Sequence, residues 1–130
     1  MTATVVTLVR NNLRVILYWV ASLPILTESV VGAGWDLFRT GYVVDTFHHL
    51  GYPLYFLTIM GIAKLLAVAA ILAPRLPRLK EWAYAGLFFV YIGASASHFA
   101  AGDGASAFIG PAVFGAITMG SWALRPASRR

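Results

Sequence analysis

Four long apolar runs alternate with short polar segments along the chain, at about residues 13–31, 54–73, 82–101 and 106–124. A helix rises 1.5 Å per residue, so a run of about 20 residues spans roughly 30 Å, the thickness of a bilayer's hydrocarbon core. The pattern predicts four membrane-crossing helices. Glycine and proline mark their ends. Gly32 and Gly34 are expected to end the first span, and Pro24 to kink it. Pro53 suits the first turn of the second, Pro74 and Pro77 stop it, and Gly102-Asp103-Gly104 makes a tight turn before the fourth. Pro111 falls in the early turns of the fourth span and Pro126 just past its end.

The segments between runs add detail. Residues 1–12 form a polar lead that suits an interfacial helix. Residues 33–52 carry Trp35, Phe38, Tyr42, Phe47 and Tyr52, rings suited to the headgroup layer. Within them, 43–50 reads either as a short amphipathic helix on the membrane or as a packed loop. The turn at 74–80 is so short that the second and third spans must be antiparallel neighbours.

Composition supports a membrane setting. Hydrophobic residues make up 59% of the 130 and charged residues 12%, with a mean hydropathy of +0.74. A soluble domain of this size needs more charge to cover its surface. The expected fold is all-α, a single-domain integral membrane four-helix bundle over residues 1–130. No cysteine is present, which excludes disulfides, thiolate metal sites and cysteine nucleophiles. The net charge of +5 does not imply nucleic acid, because the basic residues flank the apolar runs. Arg10, Arg14, Arg75, Arg78, Lys80, Arg125, Arg129 and Arg130 fall on one side, against Arg39 with Asp36, Asp45 and Asp103 on the other. Positive-inside bias then places both termini in the cytoplasm, for a multi-pass protein of the cell membrane. The first run has no A-x-A-like cleavage site after it and reads as a retained helix. Small residues recur at Gly93, Ser97 and Ala101, and at Ala112, Ala116 and Gly120. Such faces suit close packing inside the bundle or a homo-oligomer or complex partner.

Charges at membrane depth are costly and usually face the bundle interior with partners. Lys64 lies 64 − 53 = 11 residues past Pro53, roughly 16 Å down and near the midplane. Glu28 falls toward the outer end of the first span, and His98 near the outer end of the third. Tyr84, Phe88, Tyr91, Ser95, His98 and Gly102 share one helical face, the polar face of the third span. Glu28 and His98 are expected to meet, with Lys64 reaching up to them. Glu28, Lys64 and His98 are thus the candidate catalytic groups, with Tyr91, Ser95 and Tyr55 lining a ligand pocket. Such a pocket suits a quinone headgroup, or a cofactorless isomerase, hydrolase or cyclase acting on a lipid-soluble substrate. A non-catalytic assembly partner and a purely structural Glu28–Lys64 pair fit the same residues. His48 and His49 read as loop residues and Asp103 as a turn or cap residue; adjacent histidines without further ligands predict no metal site.

The central stretch is similar to the DoxX-like family of small four-helix bacterial membrane proteins. The resemblance rests on His49-Leu50-Gly51-Tyr52-Pro53, on Gly61 with Lys64-Leu65-Leu66, and on Pro74-Arg75-Leu76-Pro77-Arg78-Leu79-Lys80-Glu81-Trp82-Ala83-Tyr84-Ala85-Gly86. Gly93-Ala94, Ser97-His98 and Gly102-Asp103 continue it, so that it covers the chain from about Leu17 onward. The first span departs: many relatives carry a Ser-Gly and a lysine near its end, where this chain has Glu28-Ser29. The superfamily takes its name from a membrane subunit of a thiosulfate:quinone oxidoreductase, and other members are linked to redox homeostasis. The resemblance therefore implies a bacterial inner-membrane protein in a redox-related, quinone-linked setting.

Overall fold

The computed structural model describes residues 2–130. Its α-helices are α1 (Thr2–Phe38), α2 (Gly41–Leu50), α3 (Tyr55–Leu72), α4 (Pro77–Ala100) and α5 (Ala105–Leu124), followed by a 3₁₀ turn at Ala127–Arg129. Among the described residues four helices, α1, α3, α4 and α5, are long and apolar enough to cross a membrane. They pack in a ring: α1 touches α3 and α5, and α4 touches the same two from the opposite side. The expected antiparallel α3–α4 hairpin is present, and α2 adopts the short helix rather than the loop.

The first span departs from the sequence expectation at both ends. Residues 2–13 are not a separate lead; they are the exposed opening turns of α1. At the other end the helix runs through Gly32 and Gly34 and stops only at Arg39, whose φ of 50° is left-handed. Thr40 N–H then bonds back to Trp35 C=O at 3.1 Å, closing the last turn. Gly32 does not end the helix because it serves a different purpose, described below. The 37 residues make α1 about 55 Å long, well beyond one hydrocarbon thickness. The chain also remains helical through Pro24.

The other reversals use glycine where a left-handed residue is needed. Gly51 (φ 81°) ends α2 and Gly102 (φ 78°) ends α4. In each the following N–H reaches back five residues, Tyr52 to Phe47 at 2.9 Å and Asp103 to His98 at 3.0 Å.

Apolar packing and polar ties hold the ring together. Ile25, Leu26, Val68, Ile71, Leu87 and Tyr91 form the main core, while Val43 and Phe47 dock α2 onto Leu57 of α3. Hydroxyls cross the interior: Ser22 Oγ lies 2.6 Å from Ser121 Oγ, and Tyr84 OH lies 2.8 Å from the same oxygen. These tie α1, α4 and α5 together in a medium where van der Waals contact and interhelical hydrogen bonds drive association.

At the basic end, cations bind helix C-termini. The last carbonyls of a helix lack intrahelical partners and carry partial negative charge. Lys80, 1% exposed, donates to the carbonyls of Ala70 at 2.8 Å and Ile71 at 3.0 Å, and to that of Ala73. Arg129 adds Leu72 at 3.0 Å, while Arg14 reaches Leu124 at 3.2 Å and Ala123 at 3.1 Å on α5. Arg125 pairs with Glu81 and stacks over the Tyr84 ring at 5.3 Å. Replacing Lys80 by Met leaves several carbonyls without a donor. The expected cost is about 2–3 kcal/mol, seen as a lower unfolding temperature in detergent. An unchanged temperature would show that the cap is idle.

Candidate functional site

Glu28, Gly32 and Asp36 sit at i, i+4 and i+8, one above another on the face of α1 turned toward α3. Lys64 reaches this face from α3. Its Nζ lies 3.0 Å from Asp36 Oδ2 and 3.9 Å from Glu28 Oε1. Gly32 makes room for it: a Cβ there would stand 2.9 Å from Glu28 Oε1 and 3.0 Å from Lys64 Nζ. Gly61, one turn before Lys64, brings the helices close enough. A Cβ on it would be 2.7 Å from Leu37 Cγ and 3.2 Å from the Ala33 carbonyl oxygen. A charged triad thus lies between the first and second spans, with Lys64 and Asp36 buried and Glu28 partly exposed.

The two acids differ in surroundings. Asp36's side chain is 5% exposed, and its Oδ2 faces the ammonium without the alignment of a hydrogen bond. Glu28's side chain is 33% exposed. Tyr91 OH donates to Glu28 Oε2 at 2.5 Å and lies 3.2 Å from Ser29 Oγ. Glu28, Lys64 and Tyr91 together line an open pocket of about 270 Å³, with Met60, Val90, Pro111 and Phe114 among its other lining residues. Asp36 acts as the inner counter-ion, and Glu28 is the acid that faces open space.

Depth explains the differences from the expected site. Because α1 continues to Phe38, ten helical residues follow Glu28, about 15 Å of helix. Glu28 is therefore level with Tyr91 and well short of the end of α1. His98 is seven residues farther along α4, about 10 Å away. It pairs with the α4–α5 turn, its Nδ1 2.6 Å from Asp103 Oδ2, while Asp103 Oδ1 takes His49 Nε2 of α2 at 2.7 Å. The structure thus brings Glu28, Lys64 and Tyr91 together and places His98 in a separate outer cluster. Ser95 donates to the Phe108 carbonyl at 2.7 Å and ties α4 to α5, and Tyr55 is 66% exposed at the start of α3. Neither reaches the triad. Among the described residues no three His, Cys, Asp or Glu are grouped to hold a metal ion.

Asp36 is the residue that sequence reasoning missed. Its signal was the i, i+4, i+8 spacing with Glu28 and Gly32, which disappears once the helix is ended at Gly32. The pairing of His49 with Asp103 is likewise invisible in the sequence, since it joins positions 54 apart.

A four-span helical bundle with its charged groups held between its first spans defines a small multi-pass membrane protein. The chain belongs to the DoxX-like family, whose model matches residues 20–121. No curated protein and no solved structure matches it.

Removing one partner of a buried pair leaves an uncompensated charge, a loss of about 3–5 kcal/mol. Asp36→Asn should therefore be severely destabilising, and Asp36→Asn with Lys64→Met much less so, in thermal or denaturant unfolding in detergent. Additive losses would show that the two do not act as a pair. The outer cluster generates a pH prediction. Hydrogen bonds from His98 and then His49 hold the Asp103 carboxyl below its usual value of 3.8. A depressed folded-state value adds stability that is present above the unfolded value and lost as pH falls through the folded one. Hydrogen exchange in α2 should therefore speed up as pH drops below about 4, after correction for intrinsic exchange. In Asp103→Asn it should be fast at every pH; identical profiles would remove the cluster's role.

Proposed function

We propose that this DoxX-like protein binds a lipophilic small molecule of the quinone type inside its bundle, as part of a redox-related system of the cytoplasmic membrane. The observation that carries the reading is the asymmetry of the triad. Asp36 answers the Lys64 charge from the buried side, which leaves Glu28 and the outer face of the ammonium available to the cavity. The pocket offers a charged donor, a carboxyl and a phenol against apolar walls, as small-molecule sites commonly do. Lys64 donates to a ligand carbonyl, and Glu28, held by Tyr91, accepts from a ligand hydroxyl. With all three groups ionised the triad is formally −1, and one proton brings it to zero. Ionisable groups inside a membrane mark such sites by default. The basic end, with Lys80, Arg14, Arg125 and Arg129 at the helix termini, faces the cytoplasm in this reading, and so do both chain ends.

The test is binding of a benzoquinone probe to the protein in lipid nanodiscs. Glu28→Gln is expected to weaken it about tenfold, the loss of one hydrogen bond to a charged group. Asp36→Asn with Lys64→Met should weaken it at least as much, and Asp103→Asn should leave it unchanged. Absence of binding to the unaltered protein, or equal binding by all variants, would sink the reading.

A further inference from the structure

Before Arg14, α1 stands apart from the bundle. Arg14 bonds the carbonyls of Ala123 and Leu124 at the end of α5, and every residue from Thr2 to Leu13 is exposed. The 20 residues of α5 measure about 30 Å, one hydrocarbon thickness, so Arg14 lies at its edge. The 12 residues before it run about 18 Å farther, out of the hydrocarbon. Val5, Val6, Leu8, Val9 and Leu13 are each more than half exposed there. A helix this short is marginal in water on its own, and this one presents apolar side chains to it.

Two ways of hiding them fail on geometry. Tilting α1, about 55 Å long, into about 30 Å of hydrocarbon needs an angle of more than about 50°, beyond the usual limit of about 40°. Bending the opening turns onto the membrane surface needs a break in the helix. The helix is continuous, and no glycine or proline, the usual cause of a kink, precedes Pro24. A partner alongside is left.

Spacing identifies the partner. Val6, Val9, Leu13, Ile16, Val20 and Leu23 follow one another at alternating steps of three and four, and Thr27 and Val30 keep the register. The mean step of 3.5 is that of a left-handed coiled coil. The apolar members of this stripe are between 48% and 62% exposed, on the side of α1 away from Tyr18, Ser22 and Ile25 of the core. The stripe keeps one face from the aqueous turns into the span. A soluble partner follows only its opening turns. A second copy, inserted the same way and related by a twofold axis along the membrane normal, brings the whole stripe onto itself. Charge agrees: Arg14 is turned to its own bundle and Arg10 flanks the stripe, so no like charges meet across the pair. Thr27, exposed in the single copy, is the one polar side chain of the stripe between Val6 and Val30, and pairing removes its hydroxyl from lipid.

We infer that the chain forms a parallel dimer through this outward stripe of α1, continued beyond the membrane as a two-stranded coiled coil. The inference is independent of the ligand reading. The pocket at Glu28 lies on the bundle side of α1 and stays open in the dimer.

The lack of native cysteines makes the test direct. Single cysteines are placed on the stripe, as Val6→Cys, Val9→Cys and Leu13→Cys, and on the opposite face, as Thr4→Cys and Asn11→Cys. The full chain is reconstituted in liposomes at high lipid dilution and oxidised. The stripe positions should cross-link about tenfold more than the opposite face. Equal cross-linking at all five positions, or more at Asn11→Cys, overturns the proposal. Counting of photobleaching steps on chains labelled at the carboxyl end should show two copies. Val6→Glu with Val9→Glu, in turns that touch no part of the bundle, should raise the dimer dissociation constant about tenfold or more. Thr4→Glu with Asn11→Glu carries the same charge on the other face and should leave it unchanged. A single-copy parent, an assembly of more than two, or equal behaviour of the two double variants overturns it.

Discussion

Burial of the Lys64 ammonium is the constraint on which the rest of the bundle depends. An ionised group in a medium of low dielectric must be paired, and both of its partners come from one neighbouring helix. That requirement brings α1 and α3 together at Gly61 and keeps Gly32 free of a side chain. It also accounts for the need of α1 to stay helical past its glycines: Asp36 reaches the ammonium only if the turn after Gly32 continues. Once that register is set, Glu28 falls level with Tyr91 and α4 is tied to the same cluster.

The basic end of the molecule follows a related logic. There the charges sit where helices stop, and they answer carbonyl dipoles in place of carboxylates. Lys80 and Arg129 converge on the end of α3, and Arg14 on the end of α5. The basic residues that cluster at this end therefore stabilise the helix ends at which they lie. The bundle is charged at its basic rim and at one interior level, and apolar or hydroxyl-bearing between them.

Glycine serves three purposes in one small chain, and only the surroundings distinguish them. Gly51 and Gly102 take backbone angles that other residues avoid. Gly32, Gly61 and Gly115 admit a neighbour that a Cβ would strike, whereas Gly86 and Gly93 border empty space. A sequence shows the same letter in each case. The small-residue spacing on the third and fourth spans, suggestive of helix contact, is therefore only partly used for contact.

Local physics in the sequence determined the four spans, the antiparallel hairpin at residues 74–80, the basic end and the exceptional position of Lys64. Each of these depends on hydrophobic run length, proline placement or charge bias, quantities carried by neighbouring residues. What the tertiary structure decided is which polar groups meet. Asp36 joined Lys64 because α1 runs beyond the glycines that appeared to end it, and His98 went to Asp103, which His49 also bonds, and not to Glu28. A helix terminus in a membrane is set as much by what packs on the helix as by propensity: α1 continues through Gly32, where the Lys64 ammonium fills the space, and through the open Gly34. Pairings between residues far apart in the chain follow from that register, and no local pattern contains it.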